Sequence, residues 1–204
     1  MKFLLAVYFF RIYSQKKTGV PLILGTGFSF FGLSQIPILS SRYFDDPTTN
    51  MYFGLLGAFL AALSLALLYY GTSLLYFKAD SFMRKRFSTL LFVIMLAVIL
   101  CFPFTLPTEA VLKNVFMVVA TGFIFPILTL VAVIFFYIWV RLEPENPRKT
   151  SVFLVAAAWL TYSAANGIGS FYFGTAFDWI FYTLCIVAFL VLLYGMTLGK
   201  ATGH

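Results

Sequence analysis

Gly25–Pro37 reads GTGFSFFGLSQIP, and a later stretch, Ala158–Ile168, reads AWLTYSAANGI. Each is an apolar segment carrying one carboxamide, Gln35 or Asn166, at similar depth, with hydroxyls and small residues around it. Ala158–Ile168 has the character of a faded copy of Gly25–Pro37. Together they predict an integral membrane protein made of two related halves, with its few buried polar groups facing each other.

Composition requires the same solvent. A chain of 204 residues that is 62% hydrophobic and 10% charged, with mean hydropathy +0.96, cannot hide its apolar surface in one water-soluble core, so lipid must cover it. The net charge of +7 does not point to nucleic acid. The basic residues sit in short gaps between apolar runs of spanning length, where membrane topology accounts for them.

The spans expected are Val20 to Ser40, Tyr52 to Phe77, Phe87 to Pro103, Val115 to Val140, Ser151 to Tyr172 and Trp179 to Leu198. Each is close to the roughly 20 residues with which a helix crosses hydrocarbon while satisfying its own backbone. The run ending at Val140 is longer and is expected to tilt, or to bend at Pro126. Before these, Phe3 to Phe10 is apolar and meets Arg11, Lys16 and Lys17. No A-x-A-like cleavage site precedes that cluster, so the segment is read as retained, as a short or partly spanning helix or one lying in the interface. The fold class is therefore all-α: a polytopic transmembrane helix bundle of six full spans plus a short N-terminal helix, in a single transmembrane domain over residues 1–204.

Charge sets the expected orientation. Counting the N-terminal segment with the first basic cluster, one side collects Lys2, Arg11, Lys16, Lys17, Lys78, Arg84, Lys85, Arg86, Arg141, Arg148, Lys149 and Lys200, and the other only Arg42 and Lys113. Lys and Arg are retained in the cytoplasm during insertion. The basic loops around 11–17, 78–86 and 141–149 and the C-terminus are thus expected to be cytoplasmic, in a multi-pass cell-membrane protein. Anionic lipid headgroups would be attracted to such loops in any case.

Order repeats along the chain. Phe9-Phe10-Arg11-Ile12-Tyr13 is echoed by Phe135-Phe136-Tyr137-Ile138-Trp139, and Lys17-Thr18 by Lys149-Thr150. Leu67-Leu68-Tyr69-Tyr70-Gly71-Thr72 returns as Leu192-Leu193-Tyr194-Gly195-Met196-Thr197. These echoes predict a 3+1+3 parallel repeat, with units 1–77 and 115–198 joined by a linker helix, 87–103, that faces lipid.

No Asp, Glu, Lys or Arg lies near the middle of any expected span. That argues against proton coupling and against acid-base or metal catalysis within the membrane, and the short loops leave no room for a separate active site. His204 is the sole histidine, and Cys101 and Cys185 lie in apolar runs without CxxC spacing. Metal and cofactor sites are therefore not expected, and the cysteines read as small core hydrophobes. What remains is uncharged polarity. Gly25, Ser29 and Gly32 form a small-residue face for a neighbouring helix, as do Gly54, Gly57 and Ala61. Gln35 and Asn166 have two readings. In one they make interhelical hydrogen bonds, to each other or to Ser34, Tyr162 or Ser163. In the other they anchor a pocket between the halves, walled by Phe28, Phe31, Trp159 and Tyr162.

Phe10-Arg11-Ile12-Tyr13 and Leu192-Leu193-Tyr194-Gly195 resemble the first and last helices of the seven-helix membrane modules of archaeal and bacterial sensor proteins, a likeness that runs over the whole chain. Such sensors usually continue into a kinase or other output domain, which the 204 residues do not contain. The resemblance then implies a module that signals through a separate partner, or a non-catalytic subunit of a larger membrane complex. The 3+1+3 layout is also similar to SWEET-type sugar transporters, but their Pro-Gln pair is missing, since Gln35 is followed by Ile36 and only then Pro37. Microbial rhodopsins are set aside because the last helix has no mid-membrane lysine for a Schiff base. The expectation is a non-enzymatic membrane module acting with other membrane subunits or as a homo-oligomer, or as a sensor-like binder. The alternative is a small-solute transporter with a polar site between the halves.

Overall fold

The computed structural model describes residues 1–40, 43–172 and 178–201, and no strand occurs among them. The helices are α1 (Lys2–Lys16), α2 (Gly19–Ser40), α3 (Pro47–Tyr76), α4 (Phe82–Lys85), α5 (Phe87–Thr105), α6 (Thr108–Val118), a π-helical stretch Val119–Ile124, then α7 (Phe125–Arg141), α8 (Lys149–Tyr172) and α9 (Asp178–Ala201). Six stretches are long and apolar enough to cross a membrane: Gly19–Ser40, Pro47–Tyr76, Phe87–Thr105, Ala110–Arg141, Lys149–Gly169 and Trp179–Leu198. The protein is an all-α, multi-pass membrane bundle. Arg42 and His204 lie outside the described residues.

By packing, the chain divides into two compact units, Lys2–Val119 and the part from Ala120 onward. In the first, α2 and α3 are antiparallel and close. A Cβ on Gly27 would lie 3.0 Å from the Leu68 side chain, and one on Gly71 would lie 2.6 Å from Leu24. On the other flank of α2, α1 runs antiparallel, with Phe10 against Gly25 and Phe3 against Gly32. Against α3 packs α5, through the Ser88 hydroxyl donating to the Ala66 carbonyl at 2.7 Å and the Phe59–Phe92 ring pair. Only Leu91, Met95 and Ile99 of α5 are buried. One narrow stripe thus holds the expected linker to α3, and most of its surface is free for lipid.

The small residues of α3 divide between neighbours instead of forming one face. Gly54 meets Leu112 of α6, whereas Gly57 meets Ile38 and the Ser34 carbonyl of α2.

In the second unit α8 is the central helix. Phe125 of α7 packs on Gly167, Phe136 on Phe153, and on the other side Phe181 of α9 packs on Gly169. Leu154 and Val155 of α8 meet Gly195. The long span does depart from α-geometry, in the turn before Pro126, at Val119–Ile124. A proline there removes the amide donor an α-helix would use one turn back, and a π-turn re-registers the backbone around the gap.

Loop chemistry ends the helices. The Asp46 carboxylate caps α3, accepting from the Thr49 N–H at 2.7 Å and the Thr49 hydroxyl at 2.6 Å, with Pro47 at the first helical position. Between α1 and α2, Lys17 turns the chain with φ 54°, its N–H donating to the Tyr13 carbonyl at 2.7 Å. That is a left-handed helix stop usually filled by glycine.

Candidate functional site

The two carboxamides fall in different units, and each is tied locally. On α2, the Gln35 Nε2 donates to the Ser34 Oγ at 3.3 Å, and Ser34 donates to the Phe31 carbonyl at 2.9 Å. Ser29 donates to the Gly25 carbonyl at 3.0 Å. These are bonds of a helix to itself, with Ser34 fully buried and Gln35 half-buried. The aromatic residues beside them are core: Phe28 has no exposed surface and stacks on Phe9, ring centroids 5.7 Å apart and planes 8° from parallel.

Beside Phe31 lies a cation from the N-terminal helix. The Lys2 ammonium sits 3.7 Å from the Phe31 ring centroid. Because α1 runs antiparallel to α2, Lys2 lies at the opposite end of α1 from Lys16. The two are separated by about 21 Å along the axis at about 1.5 Å per residue. Lys2 therefore leaves the basic cluster at 11–17 and stands beside the middle of α2. The sequence placed it with the cluster because a short N-terminal helix was counted as belonging to one side.

On α8, the Asn166 Nδ2 donates to the Tyr162 carbonyl at 2.8 Å. Tyr162 packs its ring on Phe189 of α9 at 4.7 Å, and Trp159 is buried one turn before it. Ser163 reaches a neighbouring helix, α7. Its hydroxyl donates to the Phe125 carbonyl of α7 at 2.7 Å and lies 2.7 Å from the Thr129 hydroxyl, which donates to the same carbonyl at 2.8 Å. Thr129 was not among the residues singled out from sequence. A lone hydroxyl within ILTLV carries no signal until its neighbour helix is known.

The structure thus brings together Phe31, Ser34 and Gln35 on one helix, and Tyr162, Ser163 and Asn166 on another, each set within its own unit. A cavity of about 640 Å³ lies elsewhere, between α8 and α9, lined by Leu160, Thr161, Ile168, Gly169, Phe181 and Leu184 among others. None of the nine residues singled out from sequence for a polar pocket or for helix packing lines it. Apart from Thr161 the residues of its wall are apolar, which sequence reading treats as ordinary span.

Among the described residues, no buried side-chain nitrogen or oxygen lacks a hydrogen-bond partner, and no group of three or more His, Cys, Asp or Glu could hold a metal. Cys101 is exposed and Cys185 half-buried, so neither is the core hydrophobe expected from its apolar run. Comparison of the chain with protein-family models, with curated proteins and with solved structures finds no match.

Proposed function

We propose that this protein is a non-enzymatic integral membrane module that works by packing, as a subunit of a larger membrane complex or as a sensor-like binding module. The observation that carries this reading is the complete hydrogen bonding of its buried polar side chains among the described residues. Hydroxyls and carboxamides in hydrocarbon cost free energy when unpaired. Here they are spent on the fold itself: Ser64 on Gly27, Ser88 on Ala66, Ser163 on Phe125. Meanwhile α5 and α9 present long exposed apolar faces, with Val93, Ile94 and Leu100 on one and Leu184, Val187 and Leu190 on the other. Such faces serve lipid and partner helices equally well.

Two further parts of the reading have support of the same kind. For a repeat, each unit has a glycine near a helix end packed on its neighbour, Gly71 on Leu24 in the first and Gly195 on Leu154 and Val155 in the second, although the echo itself sets Gly71 opposite Met196 and Gly195 opposite Tyr70. For orientation, the first unit carries Lys16, Lys17, Lys78 and Arg86 at the end where α1 stops, α2 begins and α3 stops. Retention of positive charge during insertion would put that end in the cytoplasm.

Native purification in mild detergent tests the proposal. Stoichiometric co-purification with other membrane proteins is the expected result. A monodisperse homo-oligomer that carries solute into liposomes, and loses uptake on combined Gln35→Leu and Asn166→Leu substitution, would replace it with a small-solute transporter.

A further inference from the structure

The turn joining α7 to α8 holds two cations in fixed places beside aromatic rings. The Arg141 guanidinium carbon lies 4.2 Å from the Tyr137 ring centroid. Lys149 donates from Nζ to the Leu142 carbonyl at 2.9 Å and lies 5.9 Å from the Trp139 ring centroid. Trp139 in turn packs on Phe153 at 5.3 Å. Arg141 and Lys149 are thereby brought to one rim, since Lys149 grips the residue that follows Arg141. Both keep donors to spare: an ammonium has three N–H bonds and uses one here, and a guanidinium over a ring still carries its N–H edge. Toward the span the surface changes character at once, to Tyr137 and Phe153, both exposed.

Cationic donors at a helix end with exposed aromatic rings one turn into the hydrocarbon match one kind of ligand, an anion with a hydrocarbon body. We propose that this collar binds the phosphate of an anionic membrane phospholipid, with Arg141 and Lys149 on the headgroup and Trp139 and Phe153 along the start of the acyl chains. A soluble phosphate would gain nothing from the rings. The other charged groups of the turn are the exposed Glu143, Glu145 and Arg148. They follow Leu142 in the connecting loop, and an anion anchored in the bilayer reaches the collar first. This site is independent of whether the protein is a subunit, a sensor or a transporter.

Trp139 is its reporter. The full chain with Trp159→Phe and Trp179→Phe, leaving Trp139 as the single tryptophan, is reconstituted in vesicles of phosphatidylglycerol or phosphatidylcholine brominated on the acyl chains. Where that variant does not fold, the difference in signal between the native chain and Trp139→Phe supplies the same quantity. The expected result is tighter quenching by the anionic lipid, by about thirtyfold for two basic groups at the surface. The excess falls toward unity in Arg141→Gln with Lys149→Gln, and returns in Arg141→Lys with Lys149→Arg. The rescue separates lost charge from lost folding. Equal quenching by both lipids in the native chain, or an excess that survives the double Gln substitution, overturns the proposal. Displacement of the brominated lipid by millimolar inorganic phosphate would overturn the lipid assignment in favour of a soluble anion.

Discussion

The Ser64 hydroxyl of α3 donates to the Gly27 carbonyl of α2 at 2.8 Å, where the helices approach closely across a residue with no side chain. A Cβ there would lie 3.0 Å from the Leu68 side chain and 3.3 Å from its backbone nitrogen. Two helices in lipid gain little from apolar contact alone, so close approach and hydrogen bonds must hold them. Ser64→Ala is expected to lower stability by about 0.6 kcal/mol, the usual worth of such a bond in a membrane. Gly27→Leu should cost more, because it pushes the helices apart and breaks the same bond. Equilibrium unfolding in mixed micelles orders the two variants, and an undiminished Gly27→Leu protein would deny that α2 and α3 pack this closely.

The same comparison can be made within one residue type. A Cβ on Gly57 would fall 2.3 Å from the Ile38 side chain and 3.0 Å from the Ser34 carbonyl, whereas Gly19 has nothing within 4 Å. The Ile38 atom met is Cγ1, held close to the backbone of a β-branched side chain, and the Ser34 carbonyl oxygen cannot move without the helix. Gly57→Ala is expected to cost about 1 to 3 kcal/mol, as overpacking of a close contact does. Gly19→Ala, by contrast, should stay within about 0.5 kcal/mol of the native chain. Equal effects at the two sites would mean that α2 and α3 stand farther apart at Gly57 than these distances require.

These glycines show which parts of the fold could be read from the chain and which could not. Span number and approximate bounds followed from hydropathy and length, because hydrocarbon thickness fixes how many apolar residues a helix needs. The small-residue face of Gly25 and Gly32 was visible as spacing, but the identity of its neighbour was not. The partner is α1, whose Phe3 and Phe10 fill it. Gly54 and Gly57 lie only about 60° apart around α3 yet meet two different helices, Gly54 the Leu112 side chain of α6 and Gly57 the Ile38 side chain of α2, a division that spacing alone does not reveal. Polar residues were the least legible. A buried serine or asparagine can bond its own helix, as Asn166 and Ser34 do, or a neighbour, as Ser163 does, and only packing decides between them.

At the start of α3 the Asp46 carboxylate accepts from the Thr49 hydroxyl and N–H, which hold its pKa below the ordinary carboxylate value. A lowered folded-state pKa means that the charged cap contributes stability in full above the ordinary value. That contribution is lost as pH falls through the folded-state value. Thermal melts in detergent should therefore be flat in this respect near neutrality and decline in acid. Asp46→Asn keeps a side-chain acceptor at the cap but cannot titrate, so its melting temperature should fall less on acidification than that of the native protein. Identical acid dependence in the two would exclude the Asp46 cap as a source of it.

Lys2 offers the sharpest test of how α1 is placed. A helix lying in the interface would keep both of its ends at headgroup level. In the structure α1 instead runs beside α2, with Phe9 stacked on Phe28 and the Lys2 ammonium 3.7 Å from the Phe31 ring. In that position the ring face attracts the ammonium. Single cysteines at positions 2, 16 and 31, labelled with an environment-sensitive fluorophore and read with quenchers fixed at graded bilayer depths, distinguish the arrangements. Positions 2 and 31 are expected to report the same depth, with position 16 nearer the surface by up to about 21 Å, the axial distance over fourteen residues of helix. Equal depths for positions 2 and 16 would lay α1 flat in the interface and remove the cation from the middle of α2.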